Sequence, residues 1–187
     1  MVDPKEILNT GRFDFEKTSM SSGWIAELNK DEHTPETEEY GIASFVYRRR
    51  APFHPQRLSF FFSNWPEEVV RAKGLVWIAA NDDLAATLSQ AGPSIQFGPA
   101  GYWLATLPEA QQVEVLETEP DVKARWDEQW GDRMNEIVFI GIGMDRAALE
   151  TRLDRCLLTA EEMGQDWKQF NNPLPWPTEE LLGAGQE

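Results

Sequence analysis

The sequence predicts an α+β domain: a single, mostly antiparallel sheet with helices packed on one face, preceded by a helical arm and followed by an irregular Pro/Trp tail. Three observations carry this reading. Two strongly apolar runs, Leu75–Ala80 and Ile137–Ile142, read as central strands. Leu58, Phe61, Phe62 and Trp65 recur at helical spacing and make one apolar helix face. Between Asn29 and Glu39 the chain offers nothing apolar to bury, which reads as a linker. The expected organisation is therefore a helical arm and acidic linker over 1–39, an α+β domain over 40–160, and a C-terminal helix and tail over 161–187.

In the arm, Asp3-Pro4 suits a helix start, and Trp24, Ile25 and Leu28 share a face of a second helix. Ile42 to Tyr47 is rich in β-branched and aromatic residues and ends at Arg48-Arg49-Arg50, which predicts a strand. Pro55 opens the next helix, and Pro66 starts a short one through Val69 and Val70. Further strands are expected at 84–90, 94–97 and 101–106, separated by Gly92, Gly98 and Gly101. Residues 109–117 and 120–128 read as helices. Asp145 caps another, with Leu149, Leu153, Cys156 and Leu157 along its stripe. Thr159 and Glu162 have capping-box spacing for one more short helix. The tail, with Trp167, Pro173, Pro175, Trp176 and Pro177, is expected to run irregularly over the surface.

Composition narrows the function classes. The chain is 41% hydrophobic with 8 Trp and 10 Phe, enough for a real core. It has no apolar run long enough to span a membrane and no visible secretory signal. One cysteine, Cys156, excludes an intramolecular disulfide, so a reduced, cytoplasmic protein is expected. A net charge of −15 opposes binding to nucleic acid or anionic lipid. The charge is uneven: residues 1–39 carry 4 basic and 10 acidic groups, 40–107 carry 6 and 4, and 108–187 carry 7 and 18.

Catalytic signatures are missing. No phosphate-binding loop of the Gly-x-x-x-x-Gly-Lys-Ser/Thr type occurs, and no Gly-x-Ser-x-Gly elbow. Gly141-Ile142-Gly143 lacks the third glycine of a dinucleotide turn, since position 146 is Arg146, and reads as a strand-to-helix turn. The pairs Glu67-Glu68, Asp82-Asp83, Glu161-Glu162 and Glu179-Glu180 suit turns and helix starts better than acid/base work. A metal site wants clustered soft ligands, whereas His33, His54 and Cys156 are far apart. His33 among linker acids and His54 are weak metal candidates, and Cys156 reads as core packing. The unusual stretch is Arg48-Arg49-Arg50-Ala51-Pro52-Phe53-His54-Pro55-Gln56-Arg57. Arginine forks grip carboxylates and phosphates, so this is either a docking patch for an acidic partner or a set of internal ion pairs.

Several segments together resemble the C-terminal domain of CobW-type metallochaperone GTPases. They are Leu8-Asn9-Thr10-Gly11-Arg12-Phe13-Asp14, Tyr40-Gly41-Ile42 with Ser44 to Arg50, and Pro52-Phe53-His54-Pro55 with Arg57. Val70-Arg71-Ala72-Lys73-Gly74 with Trp77, Leu88 to Gly92, and Asp132-Arg133 with Glu136 and Val138 to Gly141 complete the set. The resemblance implies a two-part protein. Its N-terminal P-loop GTPase half would carry GTP, Mg and a Cys-x-Cys-Cys site for zinc or cobalt, and neither motif is in this chain. The resemblance thus implies a non-catalytic interaction and regulatory domain with no cofactor of its own. Its expected partners are a P-loop GTPase domain, in cis or in trans, and a metal-receiving client. Arg48, Arg49, Arg50, His54, Arg57, Arg71 and Lys73 are the candidate partner-binding residues. The alternatives are a free-standing metal buffer using His33, His54, Cys156 and the acidic linker, and a small hydrolase built around His54.

Overall fold

Residues 41–176 are described by a computed structural model; the expected helical arm and acidic linker, with His33, and residues 177–187 lie outside them. Five strands form one antiparallel sheet in the order β1-β5-β2-β3-β4. They are β1 (Ile42–Arg49), β2 (Val69–Trp77), β3 (Leu84–Ala91), β4 (Ser94–Tyr102) and β5 (Asn135–Ile142). The two apolar runs of the sequence sit side by side near its centre, with Ala72 opposite Phe139 and Gly74 opposite Ile137. Helices α1 (Pro55–Ser63) and α4 (Arg146–Asp154) lie together on one face. Leu58 and Phe61 of α1, with Leu149 and Leu153 of α4, close the core over Phe45, Tyr47, Val76, Leu88 and Phe139. Helices α2 (Glu109–Thr118) and α3 (Pro120–Ala124) bury no residue. No described helix is long and apolar enough to cross a membrane.

Local chemistry explains most boundaries. Pro55 occupies the first turn of α1, where its missing N–H costs nothing. Asp145 accepts the Ala148 N–H at the start of α4, as its position predicts. Gly143, at φ +64, makes the turn from β5 into that cap, so Gly141-Ile142-Gly143 is a strand-to-helix turn. Thr159 and Glu162 form the reciprocal capping box at a short 3₁₀ turn, Glu162–Gly164.

Five expectations change. Helix α4 ends at Asp154, so Cys156 and Leu157 of its expected stripe follow the helix instead of lying on it. The helix after Pro66 does not form, because Val69 pairs with Gly141 and starts β2 instead. β-branched residues fit a pleated surface, and tertiary pairing overrides the local proline signal. The second half of the run Leu75–Ala80 leaves the strand: β2 ends at Trp77, and Ala79–Asn81 is a 3₁₀ turn whose Ala79 N–H reaches Phe53 O. The strands expected at 94–97 and 101–106 are one strand, β4, followed by a 3₁₀ turn at Leu104–Thr106. Gly98, Pro99 and Gly101 are tolerated inside it because β4 is an edge strand whose register shifts between Ala85 and Ala86. The helix expected over 120–128 stops at Ala124. On α1, Trp65 packs on the core from just beyond the helix end.

The described part of the tail is fastened rather than loosely draped. Trp167 joins Trp77 and Trp130 in an indole cluster with centroid separations of 5.3–6.1 Å. Leu174 is buried in the main core and Trp176 packs near Phe97. Arg57 of α1 grips Glu162 with both nitrogens of its fork, at 2.8 and 2.6 Å. That grip, with the Thr159 N–H, holds the Glu162 carboxyl down to about 2, below its ordinary 4.5.

Gly74 lies where a side chain has no room. A Cβ there would fall 2.0 Å from Glu136 O and 2.6 Å from Ile137 Cα, both backbone atoms of β5. Gly74→Ala should therefore cost at least about 2 kcal/mol, measurable as a lower urea midpoint with unchanged slope. Glu162 supplies a second expectation. Its folded pKa is depressed, so its contribution is present above pH 4.5 and fades as pH falls towards 2. Glu162→Gln should cost about 1 kcal/mol at pH 7, and the gap to the native chain should shrink between pH 4.5 and 2 in parallel urea titrations.

Candidate functional site: the open face of the sheet

Strand alternation sends side chains of β1, β5 and β2 to two environments. Phe45, Tyr47, Ala72, Ile137 and Phe139 point into the core, so their neighbours point to the other face. Register then aligns these neighbours in three rows. Ser44, Ile140 and Arg71 form the first, and Val46, Val138 and Lys73 the second. Arg48, Glu136 and Leu75 form the third. Leu75 and Val138 are each 40% exposed and Ile140 37%, which is unusual for aliphatic side chains in central strands. Ser44, Arg71 and Lys73 of the first two rows are exposed. At the third, α3 borders a depression of about 510 Å³ lined by Lys73, Leu75, Val122, Arg125, Glu136 and Val138. Arg48 donates to Glu136 at 2.8 Å, and Arg125 contacts the same carboxylate. Arg71 and Lys73 are exposed at the surface beside the apolar rows.

The sequence candidates divide between surfaces. Arg48, Arg71 and Lys73 meet on the open face. Arg49 belongs to the opposite face: it pairs with Asp154 at 2.8 Å and lies 4.8 Å over the Tyr47 ring. Tyr47 donates to the same carboxylate at 2.9 Å, and its burial pushes the phenol pKa up. Arg50 turns inward and donates to the Gly131 and Arg133 carbonyls, and also to that of Arg125. Arg57 is held by Glu162. Internal pairing thus engages Arg49, Arg50 and Arg57, the second of the two readings of this stretch. The open-face residues Leu75, Arg125, Glu136, Val138 and Ile140 were not among the sequence candidates. Their signal was strand register, which decides which half of an apolar run faces out.

His54 is buried against Phe170, with ring centroids 4.8 Å apart, and its Nδ1 finds no hydrogen-bond partner among the described residues. Burial first, and then the Arg57 cation, lower its pKa, so the ring is neutral at pH 7. Cys156 is buried, its thiol pKa pushed up by desolvation, and it faces the Arg57 and Arg152 carbonyls. A thiol held protonated is a poor metal ligand. Among the described residues no group of three or more His, Cys, Asp or Glu could hold a metal ion, so this donor set does not fit a zinc or cobalt site.

The family described as the cobalamin synthesis protein cobW C-terminal domain matches residues 42–157. A zinc-regulated GTPase metalloprotein activator 1 of Dictyostelium discoideum is 41% identical over 181 residues, covering 93% of this chain and 38% of that protein. A zinc chaperone of Mycobacterium tuberculosis is 32% identical over 156 residues, covering 80% of this chain and 39% of its own length. The chain therefore spans under two fifths of the curated relatives it matches. A solved structure, the Zn(II)-bound YjiA GTPase from E. coli, aligns with TM-score 0.45 and 14% identity, over 68% of this chain and 33% of that one. From the match over residues 42–157 and the five-stranded α+β fold that carries it, this chain belongs to the CobW C-terminal domain family.

Proposed function

We propose that this chain is the interaction and regulatory domain of a CobW-type, GTP-dependent metal chaperone acting in the cytoplasm. Its open sheet face would contact a P-loop GTPase domain, in cis or in trans. The observation that carries the reading is the pairing of Leu75, Val138 and Ile140, exposed among the described residues, with Arg71 and Lys73 on one face. Apolar area of this kind stabilises a contact once it is removed from water, while the cations set its orientation and partner choice. The relatives' names supply the partner class: a GTPase in one, a zinc chaperone in the other. Arg48 and Arg125, joined through Glu136, would border the contact. Arg49, Arg50, His54 and Arg57 support it indirectly by holding the framework. In this reading the nucleotide, Mg and the zinc or cobalt ion belong to the GTPase domain, and a client receives the metal from there. Nucleotide state alters the contact only as far as the two GTPase states bind this face with different free energies.

Titration of the full chain into the GTPase domain of a CobW-type relative, loaded with GDP or with a non-hydrolysable GTP analogue, tests the idea. Saturable binding is expected in at least one state, weakened about tenfold or more by the pair Arg71→Glu and Lys73→Glu. Heat uptake that never saturates in either state, or binding indifferent to those substitutions, would sink it.

A further inference from the structure

A second surface lies on the helix-covered side, in a groove of about 520 Å³ between α1 and α4. Three arginines, Arg57, Arg152 and Arg155, line it together with Phe60, Phe61 and Asn64. Among the described residues no carboxylate lines this groove, although the chain holds 32 acidic residues against 17 basic ones. The Arg57 fork is taken up by Glu162, so among the described residues the positive charge without an ion pair comes from Arg152 and Arg155. These two stand three residues apart at the end of α4, where a helix places them on one face. Arg152 donates once, to Asn64 O at 2.7 Å, and its guanidinium lies 5.3 Å over the Phe61 ring. Arg155 makes no side-chain hydrogen bond or ion pair with another described residue.

The lip of the groove is apolar. Phe60, at 71%, is the most exposed large hydrophobic side chain of the described residues. A ring left in water is stabilised by any contact that covers it. The wall runs from His54 to Asn64, the whole length of α1. At the helical rise that is roughly 15 Å, which four or five extended residues of another chain would span. A groove of this length, open along one side, suits a peptide better than a compact small molecule.

We propose that the α1–α4 groove docks an acidic peptide segment of a partner protein, whose carboxylates meet Arg152 and Arg155 while a neighbouring apolar side chain covers Phe60. Charge complementarity selects the partner: arginine forks without internal acids bind carboxylates in bidentate fashion, and a basic segment is repelled. The site shares no residue with the open face, so it stands or falls separately from the GTPase contact.

The test is fluorescence anisotropy of the full chain with a dye-labelled eight-residue peptide alternating Glu with Leu and Phe. A copy of the peptide with Gln in place of Glu, and unlabelled pyrophosphate, complete the set. Saturable binding is expected. It should weaken about tenfold or more in the double variant Arg152→Glu/Arg155→Glu and for the Gln peptide, and a few-fold in Phe60→Ala. Should the double variant misfold by circular dichroism, Arg155→Ala and Phe60→Ala decide, each expected to weaken binding with native spectra. No saturable binding to the native chain, equal binding by the folded variants, or equal binding of the Gln peptide overturns the proposal. Saturable pyrophosphate binding without peptide binding overturns it too, and makes the groove a small-anion site.

Discussion

The short segment Pro52–Pro55 is the constraint on which the other parts depend. Phe53 is wholly buried, and both of its backbone groups are paired: its N–H donates to Trp77 O at 2.8 Å, and its O accepts from Ala79 N at 3.1 Å. One residue either side, Pro52 O accepts from Leu158 N at 2.9 Å, and His54 N donates to Cys156 O at 2.8 Å. Asn135, also wholly buried, closes the junction by accepting from Trp77 N and donating to Ala51 O, each at 2.7 Å. Buried backbone groups must find partners, and these find them in three different parts of the chain. The exit of β1, the end of β2 and the segment after α4 are thereby tied at one point. Helix α1 starts directly from that knot at Pro55, and the segment leaving α4 enters it through Cys156, so both helices settle on the same face.

Two helices anchored on one face leave Val138 and Ile140 partly exposed on the other, where Trp103 and Trp130 close only over Trp77, and the electrostatics follow the same division. In β1, alternation sends Arg48 outward to Glu136 and Arg49 inward over Tyr47 to Asp154. Arg50 and Arg57 spend their donors on loop carbonyls and on Glu162, which rigidifies loops and tail. Such pairs hold geometry more than they stabilise the fold, because partly exposed ion pairs contribute little. Among the described residues, charge without an internal ion pair remains at Arg71 and Lys73 beside exposed aliphatics, and at Arg152 and Arg155 beside Phe60. These are two distinct places where cations stand beside exposed apolar side chains.

Much of the fold was legible in the sequence because local chemistry and tertiary packing agree there. The helix pattern at Leu58 and Phe61, the cap at Asp145, the box at Thr159 and Glu162, and the apolar run at Ile137–Ile142 each carry a short-range signal. Where the reading failed, two local signals competed. Pro66 argued for a helix, but Val69 found Gly141 across the sheet. Gly98 and Pro99 argued for a break in β4, but an edge strand needs only one of its two rows of hydrogen bonds.

By itself the sequence determined the class of the molecule: an α+β core, a strong negative charge, the lack of a nucleotide loop or soft-ligand cluster, and an arginine-rich stretch between strand and helix. Those are properties of composition, period and spacing, which need no partner residue to be defined. Only the tertiary structure decided which arginines are occupied and which are free, and that Leu75, Val138 and Ile140 face outward. It also decided that Arg152 and Arg155 meet Phe60 across a groove. Each of these depends on register or on helix placement. A one-residue shift in strand pairing would exchange the two faces, and no local pattern records which pairing long-range contacts select.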